Sequence, residues 1–227
     1  MTRTHSNAVV LFARNPVPGQ VKTRLQSKLS PEEACALYRA FLDDARTQLL
    51  ALSAADCFVA VHGGEGAGRA FEAFAQAGIQ VVDQAGADLG ERMAAVFSAR
   101  FGEGYETVVI IGSDSPTLPV NYLEQALETR RDLVLGPSTD GGYYLIGMKD
   151  RVADVFQGIP WGTEKVLAET LARTVVAGTS VDLLAPWYDV DHPEDLDFLK
   201  THLGWMRQAG LPGGDATRKA IEELNLG

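Results

Sequence analysis

The stretch TVVIIGSDSPTLP, residues 107–119, decides the fold. Its first five residues are apolar or β-branched, without alternation and too few for a helix, which is how a strand buried on both faces of a parallel sheet reads. Gly112, Ser113 and two prolines then end the run and bend the chain away, leaving Asp114 at the strand's carboxyl end. Working outward, similar apolar runs at 8–13, 57–61, 79–82 and 133–135 read as four further strands. Between and after them lie helical patterns at 31–52, 69–77, 90–101, 119–130, 163–173 and 193–205. The first helix has the clearest start: Ser30 and Glu33 make a capping box and Pro31 takes the first helical position. Strands alternating with helices predict an α/β fold, a three-layer α/β/α sandwich of Rossmann-like type with a mostly parallel central sheet. A flexible joint at 210–214 precedes a short last helix at 217–224, which either packs elsewhere or moves.

The chain has 227 residues, 46% hydrophobic and 22% charged, enough to bury one substantial core, and one domain is expected. Its net charge of −10 repels a polyphosphate backbone, so no nucleic acid partner is expected. Cys35 and Cys57 lack CxxC spacing and read as buried thiols of a reducing compartment. No apolar run is long enough for a membrane span and no signal pattern opens the sequence, so a cytoplasmic protein that does not engage the membrane is expected.

In an open α/β sheet, ligands collect beyond the carboxyl ends of the strands. After the first strand, RNPVPGQVKTRL bends through Pro and Gly and presents Arg14, Lys22 and Arg24. A guanidinium pairs two oxygens and an ammonium adds a point charge, which suits a diphosphate; a solvated basic loop is the alternative. Val21 before Lys22-Thr23 removes the glycine that a P-loop requires. Asp114 offers one hard oxygen ligand for a phosphate-bound Mg²⁺ or Mn²⁺, or else caps the following turn. Asp191, in WYDVDHPEDL, is a second such oxygen. Glu194 and Asp195 fit the first-turn preference for acids, and His192 reads as a turn residue. The segment STDGGYYLIG brings Asp140 as a candidate general base, with Gly141 and Gly142 permitting close backbone approach and Tyr143 or Tyr144 walling in a base or sugar. Asp-Gly is also a hairpin signal. Asp88 with Arg92, and Trp161 with Thr163, stand at helix starts, where Asp88 and Thr163 are equally ordinary N-caps.

Five blocks, PGQVKTRL, DLGERM, GSDSPTLP, TDGGYYLIG and DVDHPEDL, follow one another in an order that resembles the nucleotide-diphospho-sugar transferase superfamily of GT-A fold. The similarity extends to its bacterial group of selenodomain-associated and arsenosugar-biosynthesis glycosyltransferases and covers roughly residues 7–203. It implies a single domain over 1–227, with a nucleotide half near 7–115, an acceptor half near 116–205 and a tail at 206–227. Asp114 resembles the superfamily's metal-binding acid, although Pro116 stands where an Asp-x-Asp motif has its second acid. Asp191 resembles the second metal ligand, and Lys22 and Arg24 take the place of its phosphate-binding cations.

The resulting expectation is a metal-dependent glycosyltransferase moving a sugar from a nucleotide-sugar donor to a small-molecule acceptor, with Mg²⁺ or Mn²⁺ on Asp114 and Asp191. Ala13, Arg14, Gly19, Lys22, Arg24, Asp88, Arg92 and Ser113 form the expected nucleotide subsite. Gly141, Gly142, Tyr143, Trp161 and Thr163 form the expected substrate wall, with Asp140 as catalytic base if the reaction inverts. The alternatives are a CTP- or GTP-dependent nucleotidyltransferase that releases pyrophosphate, and a non-catalytic nucleotide-binding module. A homodimer is compatible with the sequence.

Overall fold

In strand β1 (Asn7–Arg14), Val9, Leu11 and Ala13 enter one apolar layer while Ala8, Val10 and Phe12 enter the other, so the strand is covered on both faces. The other strands are β2 (Asp56–His62), β3 (Gln80–Asp83), β4 (Thr107–Gly112), β5 (Leu133–Pro137), β6 (Tyr143–Lys149) and β7 (Val181–Leu183). They form one seven-stranded sheet in the order β3-β2-β1-β4-β6-β5-β7. Every pairing is parallel except those of β6, which runs antiparallel to both β4 and β5. The computed structural model describes residues 3–63 and 67–226.

The helices are α1 (Pro31–Leu50), α2 (Ala67–Ala70), α3 (Glu72–Gln76), α4 (Leu89–Gly102), α5 (Val120–Leu127), α6 (Val166–Ala177), α7 (Pro193–Ala209) and α8 (Asp215–Glu223). Leu37 and Phe41 of α1, Leu123 of α5, Leu199 of α7 and Ile221 of α8 line one face of the sheet. Met93 and Phe97 of α4, with Leu167 and Leu171 of α6, line the other. The three-layer α/β/α sandwich expected from the sequence is therefore the fold.

Two strands lie outside the expected five. β6 is an apolar run read for its glycines, and β7 is a three-residue edge strand whose alternation is too short to register. The helix expected at 69–77 is the two short helices α2 and α3, and the one expected from 163 begins at Val166. The terminal helix does pack: Asp44 of α1 accepts from the amides of Ala216 and Thr217 at 3.0 and 2.8 Å and from the Thr217 hydroxyl at 2.6 Å. This carboxylate serves the free N–H groups at the start of α8. Among the described residues, no helix is long and apolar enough to cross a membrane.

Candidate functional site

After β1 the chain builds β2 and β3 on one side, then returns to place β4 on the other. This reversal opens a crevice beyond the carboxyl ends of β1 and β4, where Arg14 and Asp114 stand. Tyr38 of α1 ties the two ends together. Its hydroxyl accepts from the Arg14 amide at 2.9 Å and lies 3.0 Å from the Ser113 hydroxyl.

The loop after β1 is anchored by buried Val21 and Leu25, and a 3-10 turn (Thr23–Ser27) follows it. Lys22 caps that turn in a left-handed conformation, φ 48°, which is uncommon for a residue other than glycine. Its side chain points inward and is only 3% exposed. The ammonium lies 2.6 Å from Asp114 Oδ1 and 2.9 Å from Asp191 Oδ1, and donates to the Val190 carbonyl at 2.7 Å. Burial lowers the affinity of Lys22 for its proton, but the charges of Asp114 and Asp191 outweigh burial and raise its pKa. Burial likewise opposes the charge of Asp191, and Lys22 with Arg24 prevails, holding that carboxyl below its usual range. Arg24 Nη1 reaches Asp191 Oδ2 at 3.5 Å and is half-exposed.

Segment 187–191 lies along the turn between β5 and β6, with Trp187 N bonded to Pro137 O at 3.0 Å and Thr139 N to Trp187 O at 3.1 Å. The Val190 amide then donates to the Asp114 carbonyl at 2.9 Å, which sets Asp191 beside Asp114. Asp195 Oδ2 accepts from the amides of Asp191 and His192 at 3.0 and 2.7 Å, so this acid fixes Asp191 as well as opening α7. Asp189 accepts from the Ser138 hydroxyl at 2.8 Å. Burial first, then the charges of Asp140 and Asp191, push its carboxyl up to about 6 against that hydrogen bond. Sequence reasoning gave no role to Tyr38, Ser138 or Val190 and counted Asp189 only as one more carboxylate, although its Asp-x-Asp spacing to Asp191 was a usable signal.

The turn between β5 and β6 fulfils the hairpin reading of Asp-Gly. Gly142 N donates to Asp140 Oδ1 at 2.8 Å, and Gly141, at φ 89°, lies where a Cβ would collide with the Glu164 carbonyl. The Gly141 carbonyl accepts from Leu167 N at 2.9 Å, which seats the turn on the start of α6. Asp140 is exposed at its tip.

The remaining candidates have separate environments. Arg14, at the end of β1, is next to His62 of β2 in register. Burial, then the charges of Arg92 and Arg14, lower the pKa of His62, so this imidazole lies beside the two guanidiniums without adding to their charge. Among the described residues, neither Arg14 nor Arg92 forms an ion pair. Asp88 is the N-cap of α4, accepting from Glu91 N at 2.8 Å, and its carbonyl takes the Arg92 Nε hydrogen bond at 3.1 Å. Ala13 is buried and its carbonyl accepts from Gln84 at 3.3 Å, while Gly19 is an exposed turn residue at φ 78°. Tyr143 packs on the α4 and α6 layer with its buried hydroxyl beside that of Thr170. Thr163 donates to Pro160 O at 2.8 Å and accepts from Lys165 N at 3.3 Å, which holds a turn ahead of α6. The Trp161 indole lies against Gly90 of α4.

Among the described residues, no three His, Cys, Asp or Glu side chains converge as a metal cage. Asp114 and Asp191 are instead a pair that shares one buried cation, Lys22, with Arg24 on the outer oxygen of Asp191. Mg²⁺ commonly takes only one or two protein carboxylates and completes its shell with water and substrate phosphates, so the donor chemistry of this pair fits such an ion.

A doubly wound sheet with one reversed strand, a basic loop after β1 and an acid at the end of β4 define the nucleotide-diphospho-sugar transferase fold. A family model described as an uncharacterized protein conserved in bacteria, DUF2064, matches residues 45–163. A Desulfovibrio desulfuricans G20 protein, provisionally named a nucleotide-diphospho-sugar transferase, is 32% identical, with TM-score 0.87 over 98% of this chain and 96% of its own. The chain belongs to this bacterial family. The inositol-1-phosphate CTP transferase of T. maritima is similar in fold alone: 18% identity, TM-score 0.52, over 93% of this chain and 100% of its own. So is a cytidylyltransferase of Leptospira borgpetersenii: 12% identity, TM-score 0.55, over 97% and 95%. No curated protein matches the sequence.

Proposed function

We propose that the protein is a transferase that handles a nucleoside-diphosphate group with the help of a divalent metal, moving a sugar from a nucleotide-sugar donor to a small acceptor. The observation that carries this reading is the division of the β1–β4 crevice. One wall holds the acid pair Asp114 and Asp191, and the other holds Arg14 and Arg92, neither of them in an ion pair among the described residues. Guanidiniums outside ion pairs suit phosphate oxygens, and an acid pair suits a hard cation. Mg²⁺ or Mn²⁺ on that pair would supply the charge that neutralises a departing diphosphate. Arg14 and Arg92 would orient the phosphates, and Arg24, half-exposed beside Asp191, would add a third contact. Asp140, exposed at the hairpin tip, would be the base that accepts the proton of an acceptor hydroxyl if the reaction inverts.

Nucleotidyl transfer is the second reading, favoured by Pro116. It stands where a second acid would complete Asp-x-Asp, and its carbonyl accepts from Gln48 at 3.1 Å, a role in the fold. The two readings separate in a thermal-shift series with UDP, GDP, CDP, ADP and the matching triphosphates, each with and without Mn²⁺. Metal-dependent stabilisation by one diphosphate is expected. Preference for a triphosphate, with pyrophosphate released on turnover, would replace glycosyl by nucleotidyl transfer, and silence toward every nucleotide would end both readings.

A further inference from the structure

The contacts of the Lys22 ammonium are all made within the protein: two hydrogen bonds, to Asp191 and Val190, and an ion pair with Asp114. The distances to Asp114 Oδ1, Asp191 Oδ1 and the Val190 carbonyl are 2.6, 2.9 and 2.7 Å. The side chain is 3% exposed and its Nζ lies 5.4 Å from the centre of the Phe41 ring. In this arrangement the buried Lys22 ammonium is turned to the two acids, whereas Arg14 and Arg92 are in no ion pair among the described residues. The ammonium also occupies the place between the two carboxylates that a divalent ion would take. Two cations on the same oxygens repel, so one must leave before the other enters. The left-handed backbone at Lys22 is the kind of local strain that surrounding structure sustains at functional positions, and here it aims the side chain at the acids.

We propose that Lys22 is a resident cation that competes with the divalent metal for Asp114 and Asp191, so that the metal site is closed until the ammonium is displaced. This rests on the metal reading above. Its consequence is that metal alone binds weakly. The protein remains neutralised at its acid pair when no metal is present, and the displaced ammonium becomes free for a phosphate.

The test is Mn²⁺ binding to the full chain, followed by the EPR signal of free Mn²⁺, in wild type and in Lys22→Met. Removing the competitor is expected to tighten Mn²⁺ binding on the order of tenfold, the worth of one charge-assisted hydrogen bond, and adding Asp114→Asn should abolish the gain. Equal or weaker binding by Lys22→Met, with wild-type binding still dependent on Asp114, would overturn the competition and leave the metal reading intact. No Mn²⁺ binding by either protein would overturn both. A measurement on the wild type guards against misfolding of the variant: acetylation of Lys22 by a water-soluble ester, read by mass spectrometry. Labelling should rise as Mn²⁺ saturates the protein, and unchanged protection of Lys22 at saturating Mn²⁺ would overturn the proposal.

Discussion

Two glycines in helices should respond to the same methyl group with opposite signs. Gly204 lies within α7, and a Cβ added there meets nothing within 4 Å. Alanine should therefore stabilise the protein by about 1 kcal/mol through helix propensity alone. Gly90 lies in the first turn of α4, and its added Cβ would stand 2.8 Å from Trp161 Cζ2 and 3.1 Å from Cε2 and Nε1. The indole, packed 6.3 Å from the Phe156 ring centre, would have to shift. Overpacking of this sort costs about 1–3 kcal/mol, which exceeds any propensity gain at a helix start. Gly90→Ala is expected to be about 1 kcal/mol less stable than wild type, and so about 2 kcal/mol below Gly204→Ala. Urea unfolding followed by tryptophan fluorescence measures both, and adding Trp161→Ala should turn the Gly90→Ala effect favourable. Equal stabilisation by the two glycine substitutions would refute the seating of Trp161 on α4, and with it the contact between the halves expected to hold nucleotide and acceptor.

Three further outcomes follow from individual contacts. Asp189 holds its proton up to about pH 6, whereas in the unfolded chain it releases it near the ordinary 3.8. The folded state therefore binds more protons in that window, stability falls as pH rises through it, and Asp189→Asn should flatten the slope; parallel melting-temperature curves for the two proteins from pH 4 to 8 would rule this out. Asp44→Ala removes three hydrogen bonds to the start of α8 and should cost about 2 kcal/mol, exposing Arg218 and Lys219 to trypsin, and unchanged resistance would contradict that anchoring role. Arg92→Ala should weaken binding of a nucleoside diphosphate by about tenfold without lowering the melting temperature of the free protein, as measured by calorimetry; equal affinity would remove Arg92 from the phosphate site.

The central strands were legible because each is apolar on both faces, and the start of α1 because Ser30 and Glu33 do make their reciprocal bonds, at 3.2 and 2.7 Å. β6 escaped because a glycine-rich turn and a buried strand share one stretch, where Tyr143 faces one layer and Tyr144 the other. At the site, the residue types of Lys22, Asp114 and Asp191 were readable, but their mutual pairing was not. It depends on Val190 reaching the Asp114 carbonyl across 76 positions of sequence, on the inward turn of Lys22 and on Asp195 holding the Asp191 amide. Asp189 carried a sequence signal only in its Asp-x-Asp spacing to Asp191; the burial beside other acids that sets it apart from a surface carboxylate belongs to the fold.

The reversal of β6 has an architectural consequence. Because β6 runs against its neighbours, the short turn at 138–142 opens at the same mouth as the loops after β1 and β4. Both strands it joins are hydrogen-bonded on either side, β5 to β6 and β7, and β6 to β4 and β5. A change at the tip carrying Asp140 would thus uncover no sheet edge, although Gly141 beside it is held by its contact with Glu164. The turn and the loops after β1 and β4 face one opening, while the sheet edges lie elsewhere, at β3 and β7.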